Sequence, residues 1–234
     1  MPSWSLIPIA QNWLRSAGRV AVLTGAGISA ESGVPTFRGP GGLWRNHRPE
    51  ELATPAAFAR DPLLVQQWYD WRRGIVASME PNAGHQAIAQ LGAPVVTQNV
   101  DGLHQRAGSR TVLELHGSLW LARCVDCGRE SCDRQTKLAE PCSACGGRLR
   151  PGVVWFGESL PADVWQEAVE IVAASEVLLV VGTSSVVYPA AGLASMARKA
   201  KIIEVNLEET PLSGAAHLAL RGKAGEILPE LVKE

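Results

Sequence analysis

The sequence has no aliphatic run long enough to span a bilayer. Its longest, Val177 to Val181, is five residues, where a membrane helix needs about 20. It also lacks a basic opening followed by an apolar stretch, so Met1 to Leu6 reads as no secretory signal, and a cytoplasmic, reducing setting is the expectation. Neither sign of charge is in excess. The 22 Lys and Arg face 23 Asp and Glu, a formal charge of −1, which excludes the bulk positive field of a non-specific nucleic-acid or anionic-membrane binder. Tyr and Phe are scarce, at 2 and 3, although Trp numbers 8. The cysteine count of 5 is odd, which argues against a fully paired disulfide framework; in a reducing setting, clustered cysteines more often bind metal.

What is present makes a folded protein. Apolar types reach 46% against 19% charged in 234 residues, enough for one large domain or one carrying a smaller insert. Buried strands are expected at 20–23, 94–97, 112–115, 177–181, 202–205 and 217–220. Several are continuous apolar runs, as parallel strands covered on both faces should be. Helical patterns lie between them at 9–17, 163–174, 190–199 and 225–231, the last interrupted by Pro229. This alternation predicts an α/β fold with a Rossmann-like, doubly wound parallel sheet. Two stretches break the rhythm. Residues 39–81 hold no convincing strand but carry Trp44, Trp68, Tyr69 and Trp71, and residues 119–151 are Cys- and Gly-rich and too polar for a core element. The two together could form one small second domain.

Four clusters carry chemistry. The first strand runs into Gly25-Ala26-Gly27-Ile28-Ser29-Ala30, a G-x-G-x-x-A turn whose glycines let backbone approach a pyrophosphate at a helix N-terminus. An acidic residue about 20 positions on would complete a standard dinucleotide site. Here that region is a Gly- and Pro-rich loop, and Glu204, Asn206 and Glu208 follow a much later strand. Hydride transfer is weakened accordingly. Gly182-Thr183-Ser184-Ser185 closes another strand and could serve ribose or phosphate oxygens. Cys124-x2-Cys127 and Cys142-x2-Cys145 form two knuckles able to give four thiolates, a closed tetrahedral set that makes zinc structural rather than catalytic, with Cys132 surplus. Gln98-Asn99-Val100-Asp101 and Glu114-Leu115-His116-Gly117 each end a strand, where open α/β sheets bind ligands. His116 is a candidate general base, although spacing alone also permits a structural histidine.

Taken in order, these stretches resemble the sirtuin family of NAD-dependent protein-lysine deacylases. The match comprises residues 25–38 (GAGISAESGVPTFR), Gln98 to Asp101, His116-Gly117, the four cysteines, Val154-Trp155-Phe156-Gly157-Glu158, Gly182 to Ser185 and Asn206, and it spans nearly the whole chain. The resemblance implies an NAD-binding Rossmann-like domain formed by 1–38, 83–117 and 152–234. It also implies a small domain of a helical part, 39–82, and a zinc ribbon, 118–151. An acyl-lysine protein or peptide would bind in the cleft between them as an added strand.

By the same resemblance, the acyl oxygen attacks C1′ of the nicotinamide ribose and expels nicotinamide, leaving free lysine and O-acyl-ADP-ribose. His116, Asn99 and Asp101 are the implied catalytic residues. His116 removes a ribose proton, while Asn99 and Asp101 hold the ribose and carboxamide. NAD contacts are implied for Gly25, Ala26, Gly27, Glu31, Pro35, Thr36, Phe37, Arg38, Trp44 and Gln98, with Phe37 shielding the reacting centre from water. The remaining implied NAD contacts are Gly182, Thr183, Ser184, Asn206, Leu207, Glu208 and, through its backbone, Ala224. Ala53, Val154, Phe156, Gly157, Glu158 and Val187 would meet the acyl peptide. Tyr69-x-x-Arg72 matches the branch that accepts succinyl and malonyl groups. A guanidinium can pair bidentately with a distal carboxylate, and residues three apart share a helix face.

Two other functions use the same residues differently. One is a protein mono-ADP-ribosyltransferase on this fold; the other is a non-enzymatic module binding NAD or partners through its ribbon. The intact Asn99, Asp101 and His116 set favours deacylation. Nucleic acid is disfavoured as a partner, since residues 119–151 carry 6 basic and 4 acidic side chains. No membrane contact is expected, and a monomer is plausible.

Overall fold

The structure, a computed structural model, describes residues 3–35, 49–132 and 134–233. A 3₁₀ turn, Ser3–Leu6, leads into α1 (Ile7–Ser16), and β1 (Val20–Thr24) then ends at the short helix α2 (Gly27–Ala30). Three helices follow, α3 (Pro49–Leu52), α4 (Pro55–Arg60) and α5 (Pro62–Ala77), before α6 (Ala83–Leu91) returns the chain to β2 (Val95–Thr97). Next come α7 (Leu103–Arg106), β3 (Val112–Glu114) and an antiparallel excursion of β4 (Gly117–Cys124), β5 (Glu130–Cys132) and β6 (Leu149–Val153). The chain closes with α8 (Ala162–Ala174), β7 (Val177–Val181), α9 (Leu193–Met196), β8 (Lys201–Asn206), β9 (Leu218–Arg221) and α10 (Ala224–Val232).

The six expected strands form one parallel sheet in the order β3-β2-β1-β7-β8-β9. The chain runs outward from β1 through β2 to β3, then resumes on the other side of β1 with β7. Strand order therefore reverses between β1 and β7, the place where a doubly wound sheet opens a crevice at its strand ends. Helices cover both faces. Ala10, Leu14, Ile88, Ile227 and Leu231 pack with Val22, Val95, Leu179 and Ile203 on one face. Ala168, Val172, Leu193 and Ala194 pack with Leu23, Val96, Leu178 and Val180 on the other. Burial on both sides explains why β7 reads Val-Leu-Leu-Val-Val without alternation.

A separate three-stranded sheet, β5-β4-β6, carries the cysteines. Its core corrects the expectation that 119–151 is too polar to form one. Leu119, Trp120, Ala122, Leu138 and Leu149 are buried in a single cluster with Leu52, Val65, Trp68 and Tyr69 of the helical excursion. Neither piece has enough apolar residues to enclose a core alone, but together they do. Helix α5 binds the ribbon through one polar stripe: Gln66 donates to the Leu149 carbonyl at 2.7 Å and Arg73 to the Thr136 carbonyl at 2.7 Å. On the same stripe, Asp70 accepts from the Leu138 and Ala139 N–H groups at 2.8 and 3.0 Å.

Helix starts follow local chemistry. Thr54 and Asp61 cap α4 and α5 by accepting from the N–H groups of Ala57 and Leu64, each followed by a proline whose missing N–H costs nothing there. The expected helix at 190–199 is cut short. Ala190–Gly192 is a 3₁₀ turn, and α9 ends at Met196. The Arg198 and Ala200 N–H groups reach back only to Met196 and Ala197. Tight turns thus replace the last helical turn and deliver the chain to β8 at Lys201. In contrast, α10 continues through Pro229.

Candidate active site

The crevice at the β1–β7 switch point opens into a cavity of about 820 Å³ that extends to the wall formed by α5 and β6. Its floor consists of two glycine turns set back to back. The Gly27 N–H donates to the Gly182 carbonyl at 2.8 Å, and Gly182 sits at φ +60°. A side-chain carbon on Gly27 would lie 2.7 Å from the Gly182 Cα, and one on Gly182 would lie 2.4 Å from the Ile28 nitrogen. Only glycine permits that approach, so these residues expose backbone to the cavity partly because the two turns must touch.

Gly25, Ala26, Gly27, Gln98, Asn99 and His116 line the floor. Gly182, Thr183, Ser184, Asn206, Leu207 and Glu208 line one side. Gln98 donates to Thr183 Oγ1 at 2.9 Å and Asn206 to the Thr183 carbonyl at 2.8 Å, which ties the strand exits to one another. This donor set fits a dinucleotide: glycine backbone for phosphates, hydroxyls and amides beside it, and the Glu208 and Glu209 carboxylates at one end, where ribose hydroxyls would need acceptors.

His116 Nδ1 lies 3.0 Å from the carbonyl oxygen of Gln98. A carbonyl only accepts, so Nδ1 carries the proton and the neutral ring leaves Nε2 with a free lone pair. Burial lowers the His116 pKa; the bond to Gln98 opposes that only in part. The ring is therefore neutral and basic at Nε2 near pH 7.

Behind the floor lies a buried polar layer centred on Ser29, a role that its place in a G-x-G-x-x-A turn did not reveal. Ser29 donates to Asp101 Oδ2 at 2.8 Å and accepts from Asn99 Nδ2 at 3.1 Å. His85 Nε2 lies 3.4 Å from Ser29 Oγ. His85 Nδ1 accepts from the Asn82 N–H in a capping box, so Nε2 holds the proton and donates. Burial pushes His85 down to about 4, and burial with His85 beside it pushes His104 to about 3, so both rings stay neutral. Asp101 does not reach the cavity. Burial raises its carboxyl, while the Leu103 N–H, Ser29 and the Arg72 charge pull the other way. Its geometry is that of a post holding Ser29 and Asn99 in place.

The far wall carries Ala53, Tyr69, Arg72 and Val154, and Phe156, Gly157, Glu158 and Val187 also line the cavity. Tyr69 and Arg72 are 1% and 4% exposed. Burial raises the Tyr69 phenol and lowers the Arg72 guanidinium, and each charge partly restores the other. Phe156, Val186, Tyr188 and Leu207 are exposed, an apolar rim around the opening. Besides Asp101, three implied cofactor contacts lie off the cavity: Glu31 accepts from the Gly225 N–H at 2.8 Å at the start of α10, Ala224 is buried beside it, and Pro35 is not part of the lining. Thr36, Phe37, Arg38 and Trp44 lie outside the described residues.

The four knuckle sulfurs lie within 4.8 Å of one another, with Cys124–Cys145 at 3.5 Å and Cys127–Cys142 at 3.9 Å. A tetrahedral zinc with bonds of about 2.3 Å spaces its sulfurs about 3.8 Å apart, so the set fits that ion. Each knuckle turns at a glycine after its second cysteine, Gly128 at φ +72° and Gly146 at φ +73°. Cys132 is exposed on β5, outside the set. No helix among the described residues is long and apolar enough to cross a membrane.

The family model described as Sir2 family matches residues 25–189. An NAD-dependent protein deacylase 2 of Pyrobaculum aerophilum is 56% identical over 230 residues, covering 94% of this chain and 92% of the relative. The NAD-dependent protein deacylase of Mycobacterium tuberculosis is 50% identical, covering 92% and 97%. Among solved structures, a Sir2 homologue–NAD complex superposes with a TM-score of 0.90 at 49% identity, covering 96% of this chain and 92% of that one. A Sir2–p53 peptide–NAD complex gives 0.82 at 32% identity, covering 93% of each.

Proposed function

The chain belongs to the Sir2 family, and we infer that it is an NAD-dependent protein-lysine deacylase whose acyl pocket takes acidic as well as acetyl groups. One observation carries the reading: a single cavity joins the glycine turns and His116 to a far wall holding Tyr69 and Arg72. Relatives named NAD-dependent protein deacylase at 50 to 56% identity support the reaction class. The acidic-acyl part rests on the wall alone.

NAD, when bound, supplies an electrophilic ribose carbon with nicotinamide as its leaving group. The chain's own residues do the rest. Gly25 to Gly27 and Gly182 to Ser184 would hold the phosphates and riboses against the floor. Asn99, fixed by Ser29 and by the Gly25 carbonyl at 3.1 Å, would orient polar groups at the reacting end, with Asp101 bracing that layer. His116 Nε2 would accept a hydroxyl proton when the acyl group is transferred from lysine to a ribose oxygen. We take 39–82 with 118–151 as a small domain, and the cleft it forms with the rest of the chain as the seat of the acyl-lysine peptide. The zinc is then one structural ion that fixes the ribbon without touching chemistry.

At the far wall, Tyr69 Oη and the Arg72 guanidinium offer a hydroxyl donor and a cation to the tail of the acyl chain. A succinyl or malonyl carboxylate would pair there, while an acetyl group would leave that end empty. The test is nicotinamide release on one peptide sequence carrying unacylated, acetyl, butyryl, succinyl or malonyl lysine. Release that needs an acylated lysine supports deacylation; transfer of ADP-ribose label to unacylated protein with no acyl dependence refutes it. Equal kcat/KM for butyryl and succinyl peptides refutes the acidic-acyl part.

A further inference from the structure

Arg150 lies on β6 behind the cleft wall and does not line the cavity. Its guanidinium makes a bidentate pair with Glu158, Nη1 to Oε1 at 2.7 Å and Nη2 to Oε2 at 2.9 Å. Nη2 also donates to the Val153 carbonyl at 3.2 Å, and the guanidinium lies 3.6 Å from the centroid of the Trp155 ring. Glu158 Oε2 in turn accepts from the Trp155 backbone N–H at 2.8 Å. The segment 153–158 is thus folded back on β6 and held at its carbonyl, its indole ring and its carboxylate by one side chain.

That segment is the wall. Val153, Val154, Phe156, Gly157 and Glu158 face the cavity, and the Phe156 N–H donates to the Ala53 carbonyl at 2.9 Å. Trp155 itself is 2% exposed, and its Nε1–H donates to Tyr69 Oη at 3.0 Å. With one lone pair of that oxygen engaged by the indole, the phenolic proton is left to donate elsewhere, and the cavity is the side on which Tyr69 is open. The contacts therefore run without a gap from Arg150 through Glu158 and Trp155 to Tyr69.

We propose that Arg150 is a positioning residue for the acyl-lysine peptide: it sets the shape of the 153–158 wall and, through Trp155, the direction of the Tyr69 hydroxyl. The pair is partly buried, with side chains 19% and 26% exposed, so removing one member strands the other where water solvates it poorly. The effect falls first on the peptide side of the cleft, because the partners of Arg150 are Glu158, the Val153 carbonyl and the Trp155 ring; the wall reaches His116 only through backbone, where the Val154 N–H donates to the His116 carbonyl at 2.9 Å. Arg150 also differs from a merely structural tie in what its loss would change: peptide affinity rather than stability alone.

The proposal rests on the deacylase reading, and the experiment separates the two. Arg150→Met, Arg150→Lys, Glu158→Gln and the Arg150→Met/Glu158→Gln double variant are compared with the parent for kcat, for KM of an acetyl-lysine peptide and of NAD, and for zinc content. Affinity for a fluorescein-labelled acetyl-lysine peptide is measured alongside. Arg150→Met should raise the peptide KM and Kd about tenfold, as expected for a lost charge-assisted bidentate bond, with NAD KM within about twofold and zinc retained. The double variant should be no worse than Arg150→Met, since both break one link. Arg150→Lys, which keeps a cation but neither the fork nor the flat stacking surface, should recover part of the loss. If Arg150→Met does not fold, Arg150→Lys and Glu158→Gln carry the same peptide-selective expectation. A peptide KM and Kd within twofold of the parent in the folded variants overturns the proposal, as does an equal rise in both KM values. Absence of acyl-dependent nicotinamide release in the parent marks failure of the deacylase reading instead. In that case the labelled-peptide Kd still decides, and a parent that does not bind the peptide overturns the proposal too.

Discussion

The Nδ1 of His116 faces the carbonyl oxygen of Gln98 at 3.0 Å. Since that bond assigns the ring proton to Nδ1, the basic nitrogen is the one left toward the cavity. Burial lowers the ring's pKa below its ordinary 6.5, so the acid limb of the kcat/KM profile should fall below pH 6.5. His116→Ala should lower kcat/KM at least about 100-fold and remove that limb. A variant with full activity and an unchanged profile would exclude the base role.

Arg72 is 4% exposed and lies beside Tyr69. Arg72→Met keeps much of the side-chain volume but removes the cation. Desuccinylation should fall about 30-fold or more, the worth of a buried charged pair, while deacetylation changes by less than about fivefold. Steady-state rates on matched acetyl and succinyl peptides check this; equal losses would show that Arg72 supports the wall rather than reads the acyl tail.

The four knuckle sulfurs fit a tetrahedral zinc, and the ribbon core is continuous with α5. Cys124→Ser should release close to one zinc per chain. Losing a structural zinc costs several kcal/mol, which for a chain of this size is a fall in Tm of about 10 °C or more. Metal analysis with calorimetry checks it, and an active, zinc-free variant melting like the parent would contradict it.

Two glycines should respond in opposite directions. On Gly182, at φ +60°, a methyl would meet the Ile28 nitrogen at 2.4 Å, so Gly182→Ala should lose about 3 kcal/mol or more and weaken NAD binding. Gly74 is in the last turn of α5, with nothing within 4 Å of an added carbon. Gly74→Ala should gain up to about 1 kcal/mol. Urea unfolding of both variants measures the contrast.

Glu114 gives a pH dependence of stability. Burial, helped by the nearby Asp101 charge, raises its carboxyl from 4.5 to about 7 against hydrogen bonds from Gln105 and Ser118. The folded state favours the protonated form, so this contribution is fully present below pH 4.5 and is lost as pH rises through 7. Glu114→Gln should therefore stabilise the protein at pH 8 relative to the parent, by about 1–2 kcal/mol once solvent screening is allowed for. The difference should vanish near pH 4. A gain that does not depend on pH would rule out the carboxyl as its source.

Much of this molecule was legible along the chain because its strands are short, apolar and hydrogen-bonded to strands of the same kind. Parallel strands buried on both faces leave continuous runs such as Val177 to Val181, and the observed β7 has those bounds. The knuckles were equally legible, since a tetrahedron of thiolates demands paired cysteines at short spacing. Ser29 was not, because a serine after a glycine turn has many uses, and only the approach of Asp101, 72 residues on, gives it a partner. Nor was Arg150. An arginine in a charged ribbon reads as solvated until its guanidinium is found over the Trp155 ring, 3.6 Å from its centroid. The ribbon's core was misjudged for a related reason: Leu119, Leu138 and Leu149 become a core only when α5 supplies the other half.

What the sequence determined by itself is whatever depends on local rules: the period of burial in each strand, the glycines required where backbones turn, the caps of α4 and α5, and the ligand spacing of the zinc knuckles. The tertiary structure alone decided which side chains share a space. It placed Gly27 against Gly182, gave His116 its tautomer through Gln98, withdrew Asp101 behind the floor, and linked Arg150 to Tyr69 through Glu158 and Trp155. Most of these outcomes rest on contacts between residues far apart in the chain, such as Trp155 with Tyr69, 86 residues away. Their distances follow from how two sheets and a helix pack, which no local pattern encodes.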